Sequence, residues 1–560
     1  KGQFSVTKKY SKSEKFIDPL SSKTSVTGSK DNNLAGDLYT TNGESLDWNS
    51  NAFLYYTRSF NKQHNLNVSA GWEAASGTTE STNAHYRGFP SGEFHSLNYA
   101  AEVYKKPTRT ENTTRRVSVL ASANYTWNDI YLVDASVRFD GSSEFGANQK
   151  WAPFFSGGLG VNIHNYDFFK SNGYINKLKL RASYGRTGKV NFPAYAATTM
   201  YETLFDEWYI TGYGAVLKAL GNKDLTWEKT DKLSVGIETK TFHDRLTVDF
   251  EYYYNKTIDL VNDVTLSQTS GFSTYKDNMG QVANKGVELK LRADIYRDRN
   301  WNVALWGNMA HNKNEILKIS DSQKAYNERV AAYYKNEALY QETLGLSHGA
   351  EYSVPLPQYE EGASLTSIWA VRSLGIDPTT GKEIFLNRDG SIADKWNAAQ
   401  EVVVGNTEPK CSGAFGLNLS YKNWTLFASF LYEWGGQEYN QTLVNNVENA
   451  DLVNKNVDLR VLTDRWKKPG DIAQFKDIKD RGMTTLPTSR FVQDKALVRL
   501  NSLNVSYDFN RDWIKKHLRM NLLRLEASTS DLINWSSIKQ ERGLSYPRSW
   551  KVEFSLKAQF

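Results

Sequence analysis

The residues able to do chemistry are scattered through this chain, and no grouping of them makes a catalytic centre. Eight histidines are dispersed, without the His-Glu-x-x-His spacing that holds a metal. Asp140-Gly141-Ser142-Ser143 is rich in oxygen, yet it lacks the alternating acids and distal Glu of a calcium loop. It reads as a strand-end turn. Cys411 is the one cysteine, so neither an internal disulfide nor a thiolate zinc site can form. There is no Gly-x-Ser-x-Gly elbow, P-loop or dinucleotide fingerprint, and no carboxylate pair stands out. The expectation is a protein that is not an enzyme and uses no cofactor.

Two sets of residues are suited to binding instead. Trp208, Tyr209, Tyr213, Tyr340 and Trp369, with Tyr333, Tyr334, Tyr352 and Tyr359, lie in long polar stretches. Their flat faces suit sugar rings or peptide; packing inside loops, or a belt at a lipid interface, is the competing use. Asp134, Arg138, Asp249, Glu251, Glu288, Lys290 and Arg292 fall on the polar side of alternating segments. They suit a wet wall, facing a solute, an inserted domain or only solvent.

The elements that position these residues are strands. Val117, Val119, Ala121, Ala123 and Tyr125 alternate with Ser118, Ser122 and Asn124. Beyond Asn128-Asp129, Val133, Ala135, Val137 and Phe139 alternate with Asp134, Ser136 and Arg138. Period two over about ten residues gives one apolar and one wet face. Similar pairs recur at 51–72, 233–254, 287–309 and 415–430, and single strands near 151–164, 176–187, 495–508 and 520–530. A last strand runs from Trp550 to Phe560. The pattern predicts roughly 14–17 strands. Short turns alternate with long connections at about 77–113, 188–226, 260–280, 314–364, 377–409 and 437–494. A weakly helical stretch covers 322–345.

This pattern predicts an all-β fold, a transmembrane antiparallel up-and-down β-barrel with lipid outside and a polar lumen. No run of about 18 apolar residues offers a membrane helix, and the mean hydropathy of −0.58 fits a wall in which only alternate residues touch lipid. Aromatic residues make up 13% of the chain and the net charge is +6. The basic residues are not clustered, which argues against nucleic acid as a partner. No signal peptide follows Lys1, so the chain reads as mature or as a piece. A terminal aromatic such as Phe560 suits a barrel-assembly signal.

Ordered motifs carry a family resemblance. Arg138-Phe139-Asp140-Gly141-Ser142-Ser143 with Phe145-Gly146 and Trp151, Leu180-Arg181-Ala182-Ser183-Tyr184-Gly185, and Leu225-Thr226-Trp227-Glu228 come first. Tyr253-Tyr254-Asn255-Lys256-Thr257, Asn278-Met279-Gly280, Asn284-Lys285-Gly286-Val287-Glu288-Leu289, Gly405-Asn406-Thr407-Glu408-Pro409-Lys410 and Pro547-Arg548-Ser549-Trp550 follow. Together, from about residue 46 to Phe560, they resemble the barrel of SusC/RagA-type TonB-dependent outer-membrane transporters. The resemblance implies the C-terminal part of a barrel of about 22 strands, wide enough to hold a plug. The plug and TonB box are not in this chain. It implies a SusD-like surface lipoprotein, the TonB-ExbB-ExbD complex, outer-membrane lipid and a glycan or peptide substrate as partners, in a Gram-negative outer membrane. A passive porin complete within these residues is the alternative.

Overall fold

The computed structural model describes the chain except residues 25–33, 171–172, 191, 211, 266–273, 279, 322, 326, 329–357, 454–456, 483–484, 510 and 540–550. Among the described residues, seventeen strands join one antiparallel sheet. In chain order they are β1 (Gly2–Ile17), β2 (Asp37–Phe60), β3 (His64–Arg87), β4 (Glu102–Trp127), β5 (Tyr131–Ser142), β6 (Trp151–Asn162), β7 (Ile175–Lys189) and β8 (Glu228–Thr241). Then come β9 (Leu246–Ile258), β10 (Gln281–Arg297), β11 (Trp301–Lys318), β12 (Cys411–Tyr421), β13 (Trp424–Tyr439) and β14 (Val492–Asp508), β15 (Leu522–Ser530) and β16 (Lys551–Gln559). The seventeenth, Asn534–Ser536, continues the position of β15 along β14. Each strand pairs with its neighbour in this series, an up-and-down meander.

The turns explain how the register is set. Asn128 and Asp129 both have φ near +50°, the left-handed geometry of a tight hairpin turn, which Asn and Asp tolerate best. Trp127 then lies opposite Tyr131, and the β4–β5 ladder runs without a slip to Arg116 opposite Ser142. A one-residue slip would turn every apolar side chain to the wrong face.

One face of the meander is apolar and open. Val119, Val137, Leu159, Leu180, Val235, Tyr252, Leu305, Phe415 and Phe554 are all exposed along it. The accessible surface is 35266 Å², against about 20,000 Å² for a compact protein of this mass. Such a band is foreign to a water-facing sheet and suits lipid. Aromatic rings gather at the short-turn end of the band. Trp127 stacks on Tyr131 at 5.3 Å, Trp301 meets Tyr421 at 4.2 Å and Trp424 meets Tyr507 at 4.8 Å.

Three sequence expectations need correction. β1 was not foreseen, because its alternation fails after Val6: Lys8, Tyr10 and Lys12 share that face. Residues 77–113 are not one long loop. β3 continues to Arg87 and β4 starts at Glu102, leaving 88–101 as the connection. At 24–26 residues, β2, β3 and β4 far exceed the 9–11 residues that cross a bilayer. Their upper parts stand in water on both faces. There Glu44, Glu80 and Glu111 sit opposite one another, and Lys8 and Arg109 neutralise the first two at 2.7 and 2.6 Å. The other long connections also contain strands, at Met200–Tyr209 with Gly212–Ala219, Val261–Thr265 with Thr274–Asn278, and Ser367–Ala370 with Val402–Asn406. Most of the 322–345 stretch and the Pro547–Trp550 motif lie outside the described residues.

Candidate functional site

The face opposite the apolar band carries the charges. Asp134 from β5, Arg181 from β7, Lys232 and Ser234 from β8, Glu251 from β9, Glu288 from β10 and Asn312 from β11 line one recess of about 800 Å³. Seven consecutive strands laid flat would span about 30 Å. They can share one recess only if the sheet curves with its charged face inward. The lining is cross-linked. Arg181 reaches Asp249 at 3.0 Å and Glu251 at 2.6 Å, and the Ser234 hydroxyl donates to Glu251 at 2.7 Å. Beside the recess Arg138 bonds Asp140, Glu73 and Ser118 at 2.6–2.9 Å.

A glycine makes part of this wall possible. Tyr253 lies opposite Gly286, and a Cβ there would meet His311 O at 2.0 Å and the Tyr253 hydroxyl at 2.7 Å. With no side chain in the way, the Tyr253 ring crosses the strand. Its hydroxyl donates to Asn312 at 2.9 Å. Asn312 donates onward to Asn284 at 3.1 Å and to Glu408, and Glu408 also accepts the Asn314 N–H at 3.1 Å. The Asn284–Gly286 and Asn406–Glu408 motifs are thus one hydrogen-bonded clamp, tying the loop before β12 to the barrel wall.

The connections on the long-loop side have cores of their own. Phe145, Phe154, Phe192, Leu225, Trp227 and Val261 form one, with Phe145 stacked on Trp227 at 4.2 Å. Buried Glu228 accepts the Val261 N–H at 3.0 Å. Asn278 bridges this core by donating to the Thr226 and Asp259 carbonyls at 2.9 and 2.8 Å. The Leu225–Glu228 and Asn278 motifs therefore build loops. A second core joins Leu443, Val444, Val447, Val461, Phe475 and Phe491. Arg490 bonds the fully buried Glu448 at 2.7 Å and Glu383 at 2.9 Å beside it. Near the Ser367–Ala370 ladder, burial pushes the Glu401 carboxyl up to about 7, against the opposing pull of a Gln358 hydrogen bond and Arg388.

The expected site residues divide clearly. Asp134, Glu251 and Glu288 line the recess. Arg138, Asp249, Lys290 and Arg292 lie on the same face by alternation, Lys290 opposite Asp249 and Arg292 3.3 Å from Asp294. Tyr213 is exposed on the hairpin that also holds Trp208 and Tyr209. Trp369 is corrected: only 3% exposed, it packs inside a loop and offers no face to a ligand. Tyr340, Tyr333, Tyr334 and Tyr352 lie outside the described residues, and Tyr359 packs on the Val282–Ile316 cluster. Phe560 is exposed at the chain's last position. Arg181, Tyr253 and Asn312 were not foreseen as wall residues. The first two sit in quoted motifs, but only the pairing of distant strands shows what they touch. Among the described residues, no group of His, Cys, Asp and Glu could hold a metal ion.

Comparisons with known proteins agree with this geometry. A family model described as "TonB dependent receptor-like, beta-barrel" matches residues 3–522. The TonB-dependent receptor P39 of Formosa agariphila is 26% identical over 92% of this chain and 53% of its own length. The TonB-dependent receptor SusC of Bacteroides thetaiotaomicron is 29% identical over 43% of this chain and 25% of its own. The chain spans about half the length of the first of these relatives. In shape, the structure of the RagAB peptide transporter superposes over all of this chain and 60% of its own, with a TM-score of 0.81 at 22% identity.

Proposed function

The chain belongs to the TonB dependent receptor-like β-barrel family, and on that premise we propose that it is the C-terminal wall of an active nutrient importer of the SusC/RagA type. It is an outer-membrane protein, and its strands are the membrane-crossing elements. The observation that carries the proposal is the two-faced meander. An exposed apolar band backs onto a concave, charged and hydrogen-bonded face. Pairing between strands satisfies the backbone, so a polar passage can stand inside lipid.

In this reading the whole protein closes the barrel to about 22 strands and places a plug in its lumen. Arg138, Asp249, Lys290, Arg292 and the recess around Glu251 and Glu288 face that plug or a passing solute. The long connections face outward, where a SusD-type lipoprotein lid captures substrate, and Tyr213 with its hairpin meets lid or substrate. A TonB-ExbB-ExbD complex pulls the plug aside. Phe560 serves barrel assembly. The substrate class is glycan or oligopeptide. Of the proteins compared, the RagAB transporter is described by its cargo, peptide, and its likeness to this chain is one of shape.

Uptake by whole cells tests this. Fluorescent oligosaccharides and oligopeptides are offered with and without an uncoupler. Uptake of one class is expected to stop when the proton-motive force collapses. Uptake that continues unchanged would mean passive flow and would overturn the importer reading.

A further inference from the structure

The short-turn end carries a feature that import does not need. The helix α1 (Arg511–Leu518) fills the connection between β14 and β15, where the neighbouring turn is only Lys422-Asn423. Ile514 is fully buried, while Trp513 and Leu518 are exposed. Trp513 stacks on His517 at 5.1 Å. The aromatic belt of the barrel leads up to the helix in sequence: Trp424 meets Tyr507 at 4.8 Å, and Tyr507 meets Phe509 at 5.1 Å, two residues before α1. Asp508 N–H donates to Asn423 O at 2.9 Å, which holds the two turns side by side.

Cations gather on this corner. Lys515 and Lys516 lie on the helix, Arg519 just past its end, and Lys422 on the adjoining turn with its ammonium 5.3 Å from the Tyr421 ring. Of the nearby acids, Asp508 is held by Arg524 at 2.7 Å, Asp298 on the turn that meets Lys422 accepts from Tyr296 and from its own turn, and Asp512 lies on the helix itself. Basic residues in a last helical turn also favour the helix dipole, and that accounts for Lys515 and Lys516. It accounts neither for Lys422 on another turn nor for an exposed tryptophan four residues past the belt's Phe509.

We propose that α1 and the Lys422 turn form a membrane-surface anchor that docks on anionic phospholipid headgroups. Trp513 enters the boundary between headgroups and acyl chains, as indoles prefer. Lys422, Lys515, Lys516 and Arg519 meet the lipid phosphates. The leaflet is the periplasmic one, which rests on the reading of the turn end given under the proposed function.

The test uses the full-length transporter in nanodiscs of phosphatidylglycerol or phosphatidylcholine. In a Cys411→Ser background, a spin label at Trp513→Cys should be more open to oxygen than to a water-soluble nickel reagent. In native mass spectrometry, K515Q/K516Q/R519Q should hold phosphatidylglycerol on the order of a hundredfold more weakly, with phosphatidylcholine retention unchanged. These surface changes leave Ile514 in place, and heat-modifiable mobility on gels reports that the barrel is folded. A label at Trp513→Cys as open to nickel as one at Asp244→Cys, or phosphatidylglycerol retention that does not fall, would overturn the proposal. Asn128→Cys separates the orientation from the docking. Labelling of Asn128→Cys by an impermeant reagent on intact cells would put the turn end outside, and so overturn the choice of leaflet while the nanodisc readouts still decide the docking.

Discussion

Gly286 shows how much one residue's role depends on strands far away in sequence. Its empty position lets Tyr253 reach Asn312, and Asn312 in turn holds Glu408. Gly286→Ala drives a methyl against backbone His311 O, so we expect about 1–3 kcal/mol of destabilisation, read from urea unfolding in lipid. Arg490 has the largest stake among the loop charges. Arg490→Met leaves Glu448 buried without its cation, at a cost on the order of 3–5 kcal/mol. Limited proteolysis should then cut between 440 and 491 where the native chain resists. Glu401 makes its loop sensitive to pH. Its folded pKa, about 7, lies above the ordinary 4.5. The folded loop therefore holds a proton that the open loop releases, and stability falls as pH rises from about 4.5 to about 7 and is level above. The protection of the Val402–Asn406 amides, taken relative to the base-catalysed rise of exchange in an open chain, should fall over that window, and Glu401→Gln should abolish the fall. Tyr253, Gly286 and Glu408 stood in motifs legible in the sequence, whereas Asn312, Arg490, Glu448 and Glu401 did not stand out there. What any of them touches was not legible, since each contact joins strands or loops tens of residues apart.

The strands themselves were legible where one face meets lipid and the other meets water, because that contrast is what period-two alternation records. Val117–Phe139 is the clearest case, and the turn at Asn128-Asp129 fixed its register as expected. Strand identity was lost where both faces meet water. Thr78, Thr79, Ser81 and Thr82 in β3 and Lys8, Lys9 and Lys12 in β1 carry no hydrophobic contrast, so their strand character rests on pairing with neighbours. The two faces make opposite predictions for the same substitution. Val137→Arg puts a charge on the exposed apolar band, six residues past the Tyr131 belt position, and should cost about 2–4 kcal/mol near the bilayer midplane. Ser136→Arg, on the concave side facing Ser156, should leave the unfolding midpoint nearly unchanged. Equal losses for the two would mean that the assignment of lipid and lumen faces is wrong.

As a whole molecule, the chain is a curved wall with one face made for lipid and the other for water. β1 and β16 each pair with one described strand, and the chain spans about half the length of the first relative compared. The fold class was legible from alternation alone, and the family from the order of its motifs. The substrate was not, because Trp369, one aromatic expected to face it, supports a loop instead, and the lumen wall mixes charges and amides that suit more than one solute. The most direct test of the importer account is to purify the native protein from detergent-solubilised outer membranes and identify what comes with it. A plug, whether continuous with the chain or tightly bound, together with a surface lipoprotein, is the expected result. A lone chain of 63.6 kDa that conducts ions when reconstituted would contradict the account and make the protein a porin.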